Sequence, residues 1–256
     1  KPLEQRGNYE TSRRVLQIIN QVFRYAVITG RAKHNIAADL RGALRPRKTV
    51  HRAAVLEPEK VGQLLRDIDA YEGYFPLVCA LKLAPLVFTR PTELRAAQWK
   101  EFDLESGEWR IPAERMKMRR QHLVPLSRQA MFILRELQKY SGEGKFLFPS
   151  IRTEVRPISD ATMLNALRRM GYQKHEMSVH GFRSIASTLL NELGYNRDWI
   201  ERQLAHGEQD EVRAAYNYAE YLPERRKMMQ DWADYLDGLR NTQQKRNKEG
   251  VCKRTP

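Results

Sequence analysis

From about residue 58 to residue 238 apolar residues recur at helical spacing, and one stretch breaks that rhythm. In Ser106–Leu126, short β-favouring runs (Glu108–Ile111 and His122–Val124) alternate with turn residues, the pattern of a small antiparallel sheet. Elsewhere the spacing predicts helices over roughly 58–70, 74–87, 91–98, 127–140, 159–170, 181–193, 197–205, 210–219 and 223–238, opened at the first by Glu57-Pro58-Glu59, where proline fits the first turn and acids suit the dipole. The expected fold is mainly α with a small antiparallel β-sheet. Before it, Thr11 or Ser12 can cap a helix to about Thr29, with Val15, Ile18, Ile19, Val22, Phe23 and Ala26 on its apolar stripe and Gly30 as its stop.

Charge divides the chain more sharply than hydropathy does. The net charge is +14 over 256 residues. Residues 1–54 hold 12 Lys and Arg against 3 Asp and Glu, and residues 241–256 hold 5 against 1, whereas 55–240 carry 28 against 27. Basic ends around a near-neutral body suit a polyanion-binding segment beside a catalytic body, because neutralising phosphates releases counterions. The stretch 41–52, with mixed basic residues, a Gly and a Pro, reads as a linker. Residues 1–42 read as the last part of a small helical domain, 43–54 as the basic linker, 55–240 as the catalytic domain, and 241–256 as a basic, disordered tail. No run of about 18 apolar residues appears, so no membrane span is expected. Cys79 and Cys252 lie far apart without metal-ligand spacing, which points to a reduced, cytoplasmic setting and no metal site.

Four short motifs carry the chemistry. In Thr89-Arg90-Pro91-Thr92-Glu93-Leu94, Pro91 fits a first helical turn and places Arg90 at its mouth, where a guanidinium can grip two phosphate oxygens. Glu93 can cap that turn or orient an arginine. The basic turn Arg115-Met116-Lys117-Met118-Arg119-Arg120 can push a lysine into a DNA groove, where its ammonium can protonate a leaving alkoxide. In His180-Gly181-Phe182-Arg183 the first and last residues project from one side of a helix start. Gln203-Leu204-Ala205-His206-Gly207 ends a helix, and Tyr216 follows ten residues after His206. A phenol is a poor nucleophile at neutral pH and needs a base or a cationic setting. His34, His51, His122 and His175 show no partner pattern and read as surface or hairpin residues.

The order of Arg90 in its RxxEL frame, Lys117 in a basic hairpin, HxxR at His180–Arg183, LxH at Leu204–His206 and then Tyr216 resembles the tyrosine recombinases, the phage-integrase family. The basic linker, Arg213-Ala214-Ala215-Tyr216-Asn217 and the run from Glu224 to Trp232 resemble the subgroup of prophages and genomic islands. The resemblance covers about residues 9–240. It implies that Arg90 and Arg183 clamp the scissile phosphate, that Lys117 protonates the 5′-hydroxyl, that His180 assists as acid or base, and that His206 hydrogen-bonds a phosphate oxygen. Tyr216 is the implied nucleophile, forming a 3′-phosphotyrosyl link without metal or other cofactor. The His206–Tyr216 interval is one residue longer than is common, and Tyr218 and Tyr221 are the neighbouring phenols.

Candidate DNA contacts are Arg13, Arg14 and Arg24 on the polar face of the first helix, Arg45, Arg47 and Lys48 in the linker, and Arg119 and Arg120 in the turn. The implied partners are double-stranded DNA attachment sites, a homotetramer on DNA, and DNA-bending and directionality proteins, in a cytoplasmic, nucleoid-associated setting. Members of this subgroup usually carry an arm-binding domain and a full four-helix core-binding domain, so weak DNA clamping is expected of the segment here. The stripe Met228, Met229, Trp232, Tyr235, Leu236 and Leu239 either packs on its own domain or docks on an adjacent protomer. The competing functions are a type IB-like topoisomerase and a DNA-binding factor with an inactive site.

Overall fold

The computed structural model describes residues 2–40, 42–44, 53–206 and 221–252, with side chains to residue 242. Arg45, Arg47, Lys48, Tyr216, Tyr218 and the helix expected over 210–219 lie outside the described residues. The chain divides into two units, Lys1–His51 and Arg52–Pro256.

The first unit holds α1 (Pro2–Gln5), α2 (Tyr9–Ile28) and a short 3-10 turn at Ala38–Leu40. Helix α2 begins one turn earlier than the expected caps. Ser12 Oγ donates back to the Asn8 carbonyl at 3.0 Å instead of receiving an N–H from the helix start. Gly30 stops the helix with φ +70°, a left-handed conformation that glycine adopts freely. Within this unit the apolar stripe is open: Ile18 is 52% and Val22 60% exposed.

The second unit is built on α4 (Phe75–Val87), of whose 13 residues ten are buried. A helix apolar on every side belongs at the centre. Helix α3 (Pro58–Ala70) faces it with Val61, Leu64, Leu65 and Ile68, and α6 (Arg128–Ser141) adds Leu134 and Leu137. Between α5 (Pro91–Arg95) and α6 lies a three-stranded antiparallel sheet, ordered β1 (Phe102–Asp103), β2 (Glu108–Ile111), β3 (His122–Pro125). Trp109 pairs with Val124 and Ile111 with His122, and Trp109 stacks on Phe102 at 5.0 Å between ring centroids. A second sheet pairs β4 (Pro149–Ser150) with β5 (Thr153–Pro157). It was not expected, because proline at both outer ends removes the ladder donors that strand-like sequence normally advertises.

Helices α7 (Asp160–Arg169), α8 (Gly181–Glu192), α9 (Arg197–Gln203) and α10 (Leu222–Cys252) complete the unit. In α10, Met228, Met229, Trp232 and Leu236 are buried within their own unit, each such side chain contributing roughly 1.5–3 kcal/mol. Trp232 Nε1 donates to the Pro85 carbonyl at 2.9 Å. Against α3 the approach is close: a Cβ on Gly62 would sit 2.5 Å from the Leu239 carbonyl oxygen. The stripe left open by sequence therefore packs at home. Helix α10 runs to Cys252, and the Gln-, Lys- and Arg-rich composition before Gly250 suits a helix. No helix among the described residues is long and apolar enough to cross a membrane.

Candidate active site

Helix α4 ends at Phe88, which takes a left-handed conformation (φ 35°), and turns the chain at once into Arg90-Pro91. Arg90 occupies the N-cap position of α5 with Pro91 in the first turn. The Glu93 carboxylate accepts both the Arg90 backbone N–H and Nη1, each at 2.8 Å. Of the two roles the sequence left to Glu93, capping the turn and orienting an arginine, it performs both. Arg90 Nη2 donates to the Ala205 carbonyl at 3.0 Å.

Arg183 lies in the first turn of α8 and is 4% exposed. That helix starts against the chain at Ala53, whose carbonyl accepts the Ser178 N–H and hydroxyl at 3.1 Å. Only glycine fits at residue 181, where a Cβ would stand 2.7 Å from the Ala53 oxygen. From this start Arg183 Nη1 donates to the Phe88 carbonyl at 2.9 Å and Nη2 to the Leu204 carbonyl at 2.6 Å. Both acceptors end helices, α4 and α9, where the negative end of the dipole favours a cation.

His206 joins the same cluster. Its Nε2 lies 3.2 Å from Arg183 Nη2, and its Nδ1 lies 2.7 Å from Glu201 Oε2. A guanidinium has no lone pair to offer, so Nε2 accepts and Nδ1–H donates to Glu201. The left-handed Ala205 (φ 49°) makes the turn that presents His206. Arg90, Arg183 and His206, 116 residues apart at the extremes in sequence, thus form one bonded network through Ala205, Leu204 and Phe88.

Burial, and after it the neighbouring Arg90 guanidinium, push the Arg183 pKa down to about 10, with Glu93 and Glu201 acting in the opposite direction. The hydrogen bonds of Arg183 go to carbonyl oxygens and an imidazole. Two guanidinium groups that repel one another, one of them desolvated, make a place where an anion relieves the strain of like charges.

His180 takes the N-cap position of α8, one turn before Arg183, and is half-buried. Lys117 is exposed in the turn between β2 and β3, with Arg119 (φ 52°) and Arg120 also exposed. Arg14 and Arg24 are exposed on α2 and Arg13 is half-buried there. Tyr221, one of the rival phenols, is half-buried and left-handed (φ 47°), and its carbonyl accepts the Arg225 N–H at 2.8 Å to start α10. Among the described residues no cluster of His, Cys, Asp or Glu is placed to hold a metal ion.

One reading is corrected. His122, taken for a surface or hairpin residue, does stand in β3 but is buried, its Nε2 3.1 Å from the Gln203 carbonyl. Burial, then the Arg225 charge, push its pKa down to about 3, so the ring is neutral and Nε2–H donates. Arg225, 1% exposed, donates from Nε and Nη2 to Gln203 Oε1 at 3.1 and 2.7 Å and from Nη2 to the Leu123 carbonyl. This buried node binds β3, the end of α9 and the start of α10. Nothing local in the sequence marks it; Glu201, which also touches the site, was missed for the same reason, and Arg115 stood in the basic turn without a role assigned to it.

The profile of the phage integrase family matches residues 54–222, and that of the phage integrase central domain matches residues 1–43. The integrase of Enterobacteria phage P4 is 42% identical over 256 residues, covering 94% of this chain and 58% of its own length. Prophage integrase IntA of Escherichia coli (strain K12) is 41% identical over 237 residues, covering 92% and 57%. The chain spans about three-fifths of the length of the curated relatives it matches. Among solved structures, a lambda integrase tetramer bound to a Holliday junction gives a TM-score of 0.63 at 19% identity, covering 82% of this chain and 62% of that one. The Tn1549 transposon integrase in complex with circular intermediate DNA gives 0.62 at 14%, covering 89% and 81%. These likenesses carry the fold, and the sequence matches carry the lineage: the chain belongs to the phage integrase family of tyrosine recombinases.

Proposed function

We propose that this chain is the core-binding and catalytic part of a site-specific DNA recombinase that integrates or excises a mobile element. The convergence of Arg90, Arg183 and His206 on one anion-seeking cluster carries the reading. Oriented guanidinium groups held by main-chain oxygens are what a phosphoryl-transfer transition state needs, since its charge develops on non-bridging oxygens. Tyr216 attacks phosphorus, and its phenolic proton passes to His180. The Tyr216 O–P bond forms and the P–O5′ bond breaks. Lys117 donates the proton that O5′ takes up. On phosphate binding His206 presents Nε2–H to a phosphate oxygen, in place of the lone pair it turns to Arg183 without the anion. The cations are side chains, so the step needs no metal.

The basic N-terminal unit, with Arg13, Arg14 and Arg24, and the linker residues Arg45, Arg47 and Lys48 bind the backbone of a double-stranded attachment site, helped by Arg119 and Arg120. The active assembly is a homotetramer on DNA, joined by bending and directionality proteins, in the cytoplasm at the nucleoid. Structural relatives bound to DNA, lambda integrase as a dimer and as a tetramer among them, support the DNA-bound assembly.

The test is a nicked suicide duplex spanning the element's junction, with EDTA present, and mass-spectrometric mapping of the adduct. Wild type is expected to form a covalent adduct at Tyr216, and Tyr216→Phe none. DNA binding without any adduct would leave a DNA-binding factor. Relaxation of supercoils by a monomer, without paired sites, would favour a type IB-like topoisomerase.

A further inference from the structure

The turn that carries Lys117 is exposed at its tip but not at its root. It leaves β2 through the 3-10 turn Ala113–Arg115, after which Met116 is 4% exposed and Met118 54%. Arg115 is the residue that fixes this root. Its Nη1 donates to Glu101 Oε2, which also accepts Trp109 Nε1 at 3.0 Å. Its Nη2 donates to the Glu93 backbone carbonyl at 2.6 Å. The Arg115 side chain is 16% exposed and that of Glu101 3%. Glu93 is the same residue whose carboxylate holds Arg90 by its N–H and by Nη1. A single guanidinium fork therefore bridges the sheet, the lysine turn and the arginine-bearing helix turn, a span that an ammonium cannot make at both ends.

We infer that Arg115 is a positioning residue for proton delivery, tying the root of the Lys117 turn to the α5 turn so that Lys117 and Arg90 address one phosphodiester. The inference rests on Lys117 being the donor to the leaving oxygen. A lysine has four rotatable bonds, and its ammonium reaches a given atom reproducibly only if the backbone beneath it is held. Arg115 and Met116 hold that backbone from one side, while residues 117–120 are exposed. In cleavage the Tyr216 O–P bond forms, the P–O5′ bond breaks, and a proton moves from Lys117 Nζ to O5′. If sulfur replaces the bridging O5′, a thiolate leaves and that proton is not needed.

The experiment compares single-turnover cleavage of the nicked duplex with its 5′-bridging phosphorothiolate counterpart. The full chain is used as wild type, Arg115→Met, Arg115→Lys and Lys117→Ala, with thermal unfolding as a check on folding. Arg115→Lys keeps a cation beside Glu101 should Arg115→Met fail to fold. Both Arg115 variants are expected to cleave the all-oxygen duplex about 10- to 100-fold slower and the phosphorothiolate at near the wild-type rate. Lys117→Ala should show the same pattern. Folded Arg115 variants slowed equally on both substrates, with Lys117→Ala still rescued, would overturn the positioning role and leave the donor reading standing. Arg115 variants at the wild-type rate would overturn it too. Lys117→Ala slowed equally on both substrates would remove the donor reading and this inference with it.

Discussion

We predict that the second unit loses stability as acid is added through the pH range where imidazole ordinarily titrates, and that His122 is responsible for a definable part of the loss. The ring is buried, neutral, and bonded to the Gln203 carbonyl, and its pKa falls from 6.5 to about 3. The unfolded chain takes up a proton near 6.5 and the folded chain only near 3. Between those values the unfolded state binds more protons, so stability is fully present above 6.5 and falls as pH drops. At pH 5, one and a half units below the unfolded value, the linkage amounts to about 2 kcal/mol at 1.36 kcal/mol per unit. For a unit of this size that is about 4–8 °C in melting temperature. His122→Gln keeps an N–H donor for the Gln203 carbonyl and cannot take up the proton. Thermal unfolding of wild type and variant at pH 7.5 and pH 5 should show wild type losing about 4–8 °C more than the variant. Equal losses in the two proteins would refute the reasoning, since every other titrating group is common to both.

Two further outcomes follow from the geometry. Arg183→Lys should leave the protein folded but cut the rate of covalent adduct formation by about 10²–10³-fold, because an ammonium cannot serve the Phe88 and Leu204 carbonyls and a phosphate together; circular dichroism and suicide-substrate cleavage check it, and a rate within threefold of wild type (roughly 0.6 kcal/mol) would count against the clamp. Gly62→Ala should destabilise by about 1–3 kcal/mol, since its Cβ would sit 2.5 Å from the Leu239 carbonyl; urea unfolding measures it, and an unchanged midpoint would show that α10 does not press on α3 there.

What could be read from the sequence was whatever is encoded locally. Pro58 after Glu57 opens α3, Ser127 opens α6 with its hydroxyl accepting the Ala130 N–H, and Pro91 sets Arg90 at a helix mouth; proline and a capping hydroxyl announce themselves within a turn of chain. The motifs holding Arg90, Arg183 and His206 could each be singled out from a few neighbours. Their meeting could not, since it runs through the main chain of Phe88, Leu204 and Ala205, which has no sequence signature. His122 was misread because its acceptor lies 81 residues onward and the Arg225 charge comes from another helix. The β4–β5 pair was missed because its prolines mimic loop, and the start of α2 because Ser12 bonds backward.

The backbone custody of the two arginines has an evolutionary corollary. Phe88, Leu204 and Ala205 serve through oxygen atoms that every amino acid possesses, so the clamp does not depend on which side chains drift leaves at these neighbours. What selection must guard is the place where each of two helices stops, a property of chain path that spelling alone conceals.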